Sequence, residues 1–271
     1  MSSPAISIVI PIYNTAPFLA DAIQSILDQT FKDFECIIIN DGSTDDSDRI
    51  LRSFQDKRIR YLQNDGNRGI VYTLNRGIDE AVGSYIARMD GDDLSVNDRL
   101  EKQLAYMKEH PKADMVATTV NLIDEQGFFT GQWSDDRAHV NYMEIRTFMP
   151  DNNCIAHPTV FAKADVLRSL KYRECQREKE DYDLWLRWLN AGYTIHKVDS
   201  PLVKHRIRQG STTRNRQKNI SLGLASTKFQ FIAHELKHLH LTGFVFRTFI
   251  FSLRDLSLGI LKKIRQPFVS R

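Results

Sequence analysis

The chain has 271 residues, 42% hydrophobic and 26% charged, which fits an ordinary folded protein large enough to bury a sizeable core. A net charge of +3 is too mild to argue for a nucleic-acid partner. Three scattered cysteines without a C-x-x-C pair suggest neither a disulfide framework nor a zinc site. The first residues, "MSSPAISIVIPIYN", lack the basic start and long apolar run of a signal peptide. No stretch reaches the roughly 18 uncharged apolar residues that span a bilayer. The expectation is a cytoplasmic protein in a reducing compartment.

In chain order, "ISIVIPIYN" (6–14) predicts a buried strand, and "PFLADAIQSILDQ" (17–29) a helix, with Leu19, Ile23, Ile26 and Leu27 on one face. Strand and helix then alternate: "FECIIIND" (34–41), "DSDRILRSF" (46–54), "RIRYLQ" (58–63), "GIVYTLNRGIDEA" (69–81), "SYIARMD" (84–90) and "VNDRLEKQLAYMKEH" (96–110). Four repeats of this pattern predict an α/β fold with a mostly parallel, Rossmann-like sheet and helices on both faces. After about residue 112 the alternation breaks. Two strands, "ADMVATTVNLID" and "GFFTGQW", flank the turn "DEQG", a helix runs over 180–192 with Gly192 as its stop, and the chain from 218 reads as helical. The boundaries drawn are 1–112, 113–217 and 218–271.

Ligands of open α/β sheets bind beyond the carboxyl ends of the strands. Three polar clusters fall there: Tyr13 with Asn14, Asn40 with Asp41, and Asp90, Asp92 and Asp93 of "MDGDD". A D-x-D at a strand end offers oxygen ligands to Mg²⁺ and leaves positions for phosphates and water; the same acids also suit a solvated turn before a helix. Asp41 either accepts hydrogen bonds from a base or ribose or belongs to a plain strand-to-helix turn. Asn67 and Gly69 precede a helix whose exposed N-terminus can hold an anion or simply be capped. On 180–192, Asp181 shares a face with Leu184, Trp185 and Trp188, so it is either a desolvated general base or a cap beside core tryptophans. The run 204–218 has six Lys or Arg and no acid, and reads as a phosphate-covering lid or a solvated basic loop.

Taken together, "SIVIPIYN", "FECIIINDGSTDDS", "NRGIVYTLNRGI", "ARMDGDDLSVNDRLEKQ" and "EDYDLWLRW" resemble the family 2 glycosyltransferases over roughly residues 5–213. The resemblance implies the GT-A fold and an inverting transfer of a hexosyl unit from a nucleotide-diphosphate sugar, with uridine favoured, to a glycan or lipid-linked acceptor. It implies that Pro11, Tyr13, Asn14, Asp41, Asn67, Arg68 and Asp90 line the nucleotide site, and that Asp92 ligates Mg²⁺ or Mn²⁺. It makes Asp181 the base and Trp185 an acceptor-side residue. Asp93, Glu180, Arg206 and Ser211 fall on the acceptor or phosphate side, and His157 falls there or is structural. Many relatives read Y-R-x-H-x-x-S near the end of this region; "HRIRQGS" places Arg208 at the histidine, and a guanidinium can bind phosphate but cannot act as a base.

Competing classes fare less well. A nucleotidyltransferase is expected to have a Gly-rich basic loop after its first strand, which "PIYNTAP" is not. A haloacid-type phosphatase needs its aspartate on an early strand. An inactive sugar-nucleotide-binding relative is opposed by the presence of Asp90, Asp92 and Asp181. Residues 241–271 carry six basic residues against Asp255 alone, with Phe244, Phe246, Phe249 and Phe251 among them. Such a helix lies on an anionic membrane, or packs on the domain or a second subunit of a homodimer.

Overall fold

All seven residues of β1 (Ile6–Ile12) are buried, as expected of a β-branched strand covered on both sides. Alternation then sorts its side chains. Ile6, Ile8, Ile10 and Ile12 face Leu19, Ile23 and Ile26 of α1 (Ala16–Leu27) and Leu100, Leu104 and Met107 of α4 (Arg99–Glu109). Val9 faces the other way, with Ile37 and Ile39 of β2 (Phe34–Asn40), onto Leu74 and Ile78 of α3 (Ile70–Glu80). The structure, a computed structural model, describes residues 3–176, 178–208 and 220–265.

Between these elements lie α2 (Ser47–Ser53), β3 (Ile59–Gln63), β4 (Tyr85–Arg88) and β5 (Leu94–Ser95). Beyond α4 come β6 (Met115–Ile123), β7 (Phe129–Gln132), α5 (Ser134–Ala138), α6 (Tyr142–Phe148), a 3-10 turn (His157–Thr159), β8 (Phe161–Lys163), α7 (Ala164–Leu170), α8 (Glu180–Asn190) and β9 (Ile195–Arg206). Two long helices follow, α9 (Ile220–Lys237) and α10 (Gly243–Arg265). Gly192, at φ 89, ends α8 in the left-handed conformation expected of a helix stop.

One sheet runs β3-β2-β1-β4-β8-β6-β9-β5, with β7 beside β6. The parallel order expected holds through β3, β2, β1 and β4. The second half is mixed: β8 is antiparallel to β4 and β6, β6 and β9 are parallel, and β5 and β7 are antiparallel edge pieces. The ladder is therefore continuous across residue 112. The basic run expected as a loop from 204 begins instead as the last three residues of β9, while 209–218 lie outside the described residues.

Core packing extends into the tail. Phe231 of α9 and Phe244 and Val245 of α10 join the cluster that holds Trp185, Trp188 and Leu189 of α8. The two tail helices are locked by a buried ion pair, Lys228 Nζ to Asp255 Oδ2 at 2.6 Å, with Lys228 also donating to the Asp151 carbonyl. Removing one member of a buried pair strands the other, so Asp255→Ala is expected to lower unfolding stability by about 3–5 kcal/mol in a denaturant titration. No helix among the described residues is long and apolar enough to cross a membrane.

Candidate active site

The first rim cluster is held by stitching between loops. Asn14, at φ 52, accepts the Thr44 N–H on its Oδ1 at 2.8 Å and gives its own N–H to Ser43 Oγ at 3.0 Å. Ser43 N in turn donates to Asn40 Oδ1. Tyr13 projects, 44% exposed, while Pro11 is buried in the ladder opposite Ile39.

Asp41 is buried at the end of β2. Its Oδ1 accepts from Asn64 Nδ2 at 2.7 Å and Arg68 N at 2.8 Å, and its Oδ2 from Gly69 N at 2.8 Å. Of the two readings of the α3 N-terminus, anion site or cap, the contacts match the second: the Asp41 carboxylate already serves it. Asn67 and Arg68 belong to the loop that Asp41 gathers. The loop sits close: a Cβ on Gly42, at φ 74, would meet the Gly66 carbonyl carbon at 2.6 Å.

Each member of the aspartate trio has a different neighbour. Asp90 is paired by the Arg88 guanidinium, two residues back on the same strand face. Asp92 Oδ2 lies 2.8 Å from Arg208 Nε, and Arg208 Nη1 reaches the Asn14 carbonyl at 3.4 Å. Arg208 thereby joins the first and third clusters across the rim. Asp93 is fully buried and turned inward, accepting Arg206 N at 2.8 Å and facing His205 Nδ1 at 3.0 Å. Gly91 lets the turn lie against β1, since a Cβ there would meet Ile12 Cγ2 at 2.7 Å.

Crowding shapes the charges. Burial, then the Asp93 and Asp90 carboxylates, push Asp92 up to about 6. Burial opposes a charge on His205, but the Asp93, Asp90 and Asp92 carboxylates together outweigh it and raise the imidazole to about 9. Ligand atoms of Asp90, Asp93 and His205 lie within 4.8 Å of one another. Oxygen donors suit Mg²⁺ or Mn²⁺, and Asp90 and Asp92 offer carboxylates at the rim, whereas His205, held protonated by its raised pKa beside Asp93, offers no lone pair. The rim carboxylates therefore fit such an ion, with Arg208 competing for Asp92.

Arg206 was expected on the acceptor or phosphate side. Its Nε instead donates to the Asp92 carbonyl, and its Nη1 to the carbonyls of Asp124 and Glu125. It braces the D-x-D turn against the turn between β6 and β7. Asp93, turned toward β9, has the same bracing function.

Asp181 opens α8, and its Oδ2 accepts from Asn153 Nδ2 at 2.9 Å. Burial raises its pKa above the ordinary aspartate value; the Lys179 and Arg88 charges act against that rise. Arg88, the partner of Asp90, is thus also felt by Asp181. Glu180, beside it, is buried. Trp185 is fully buried, and its Nε1 has no hydrogen-bond partner among the described residues. His157 is buried too, its Nε2 2.7 Å from Tyr172 Oη and its ring edge-on to Trp185. Burial, with the Arg88 charge, holds that imidazole well below its usual value, which favours the neutral form. Ser211 lies outside the described residues.

Three residues that contact the candidate carboxylates escaped sequence reasoning: Arg88, Asn153 and His205. Only Arg88 left a signal, as a charge in a buried strand at the two-residue spacing that shares a face with Asp90.

The fold is that of the GT-A glycosyltransferases. The S. aureus protein TarS, in a structure containing UDP-GlcNAc, superposes with a TM-score of 0.74 at 19% identity, covering 96% of this chain and 76% of that one. A Pyrobaculum calidifontis mannosyltransferase, in complex with GDP-Man and Mn²⁺, gives 0.63 at 13% identity over 99% of this chain and 77% of its own. Residues 7–170 match the model of glycosyl transferase family 2, and the chain belongs to that family. Among its relatives, the Escherichia coli O-antigen biosynthesis glycosyltransferase WbnJ is 35% identical, with 78% of this chain and 82% of WbnJ aligned.

Proposed function

We propose that this glycosyltransferase moves a hexosyl unit, with inversion, from a UDP-sugar to an acceptor hydroxyl, with Asp181 as general base and Asp92 as ligand to Mg²⁺ or Mn²⁺. Residues 1–112 would hold the donor, 113–217 the acceptor and base, and 218–271 would form the tail. The observation that carries this reading is Arg88. It pairs Asp90 at the donor rim and acts electrostatically on Asp181, so the two functional groups share one neighbourhood. The name of WbnJ, and the nucleotide sugars bound to TarS and the mannosyltransferase, support a donor of this class and a cell-surface polysaccharide or lipid-linked acceptor. Work at the cytoplasmic face of a membrane is part of the proposal.

In the reaction, Asp181 takes the proton of the acceptor hydroxyl as its oxygen bonds to the anomeric carbon. The bond from that carbon to the diphosphate breaks on the opposite face, and its electron pair leaves with the diphosphate. A divalent ion bound at Asp92 would stabilise the charge that builds on this leaving group. Arg208 can add a guanidinium donor there, and Asp41 with the Asn14–Thr44 stitch keeps the nucleotide loops in register.

Calorimetric titration with UDP, GDP and dTDP, each with and without Mn²⁺, tests the proposal. UDP is expected to bind, and to bind more tightly with the metal. If none of the three bound, the donor-site reading would fall.

A further inference from the structure

The last helix, α10 (Gly243–Arg265), is packed inside out. The side facing α9 and α8 holds Phe244 and Val245, but then Thr248, Ser252, Asp255 and Gly259. Small and polar side chains allow this close approach. A Cβ on Gly259 would meet Leu222 Cδ2 at 2.4 Å, and Asp255 is satisfied by Lys228. The large apolar residues lie on the opposite side. Phe246, at 67% exposed, is followed at helical spacing by Phe249, Ile250, Leu253, Ile260 and Leu261, all exposed. They form one stripe along about four turns, more than the scattered apolar side chains of an ordinary surface.

Charge selects what covers this stripe. Arg247 flanks it, Lys262 and Lys263 stand exposed near the helix's C-terminal end, Arg254 is ion-paired with Asp151, and Asp255, the helix's one acid, is turned inward. A second copy on the same face would set these cations against their equals. The segment 209–219 has no apolar side chain with which to cover it. The helix is not apolar enough to span a bilayer. An amphipathic helix with a basic flank lies flat in the interface of an anionic membrane. We propose that α10 docks the protein on an anionic lipid bilayer through this stripe.

Docking would also orient the active centre. Arg254 is ion-paired with Asp151, whose carbonyl accepts from Lys228, and two residues on Asn153 holds Asp181. The base therefore sits on the side of the molecule tied to the docking helix, suited to an acceptor hydroxyl carried on a lipid anchor. This last consequence rests on the proposed reaction; the docking itself does not.

The test is co-sedimentation of the full chain with vesicles of phosphatidylcholine alone, or mixed in equal parts with phosphatidylglycerol. Wild type is expected to sediment with the mixed vesicles at low salt and to be released as salt screens the contact. A variant with Phe249→Ser, Leu253→Ser and Ile260→Ser, and one with Arg247→Glu, Lys262→Glu and Lys263→Glu, should each lose about tenfold or more of the bound fraction. All six positions are exposed, and UDP titration of each variant checks that the rest of the protein is intact. Absence of vesicle binding by wild type, or binding by both variants equal to that of wild type, would overturn docking. So would a dimer in analytical ultracentrifugation that the serine variant dissolves. Vesicle binding by a wild type that binds no UDP would support docking and sink the donor reading instead.

Discussion

Asp181→Asn is expected to lower kcat by about 10³-fold, the usual share of a positioned general base, while leaving UDP affinity within about twofold of wild type. The amide matches the carboxylate in shape, so α8 and its tryptophans stay in place, but it cannot take a proton. The pH profile gives a second handle. Burial raises Asp181 above the ordinary aspartate value, and only the ionised form is a base. Activity should therefore climb as pH rises through this raised pKa and level off above it. Asn153 donates to the carboxylate at 2.9 Å and so favours the ionised form. Asn153→Ala should move the acid limb to higher pH still. Transfer that persists in Asp181→Asn, or an acid limb at about 4 as for a solvated aspartate, would mean that another group is the base.

How much of this was legible in the sequence follows from the physics of each element. Strands buried on both faces, such as β1 and β2, announce themselves as apolar runs, and α1, α3, α4 and α8 by their spacing. β9 does not. "IHKVDSPLVKHR" alternates irregularly, carries Pro201 beside two shifts of register against β6, and reads as polar loop. β5 and β8, of two and three residues, and α5 to α7, of five to seven, are too short for a period to appear. The site divides along the same line. Asp90 and Asp92 could be placed at a rim because β4 could be placed. The inward turn of Asp93 could not, since it depends on β9 arriving beside β5. Nor could the parting of Arg206 from Arg208. They are two residues apart, yet one braces main-chain carbonyls and the other meets the Asp92 carboxylate. In α10 the amphipathic period was visible, but not that small residues would face inward and aromatics outward.

Arg208 and Asp92 yield the second large effect. Asp92→Ala should abolish any gain in UDP affinity from Mn²⁺ and lower kcat by about 10²–10³-fold, as expected when charge stabilisation of a leaving group is removed. Arg208→Ala should act in two opposite senses. Its Nε lies 2.8 Å from the Asp92 oxygen, so in the free protein guanidinium and metal compete for one carboxylate. Removing the competitor should tighten Mn²⁺ binding, read by electron paramagnetic resonance without substrate, by about two- to fivefold, the size of one partly exposed charge contact. Transfer should fall all the same, because the diphosphate loses a donor. Arg208→His should keep the tighter metal binding and recover part of the rate, since an imidazole can ligate where a guanidinium cannot. If Arg208→Ala left Mn²⁺ affinity unchanged and Asp92→Ala proved harmless to metal dependence, the ion would lie elsewhere. If wild type transferred equally well in chelator while Arg208→Ala did not, the guanidinium would be the cation that carries the leaving diphosphate, and Asp92 its holder.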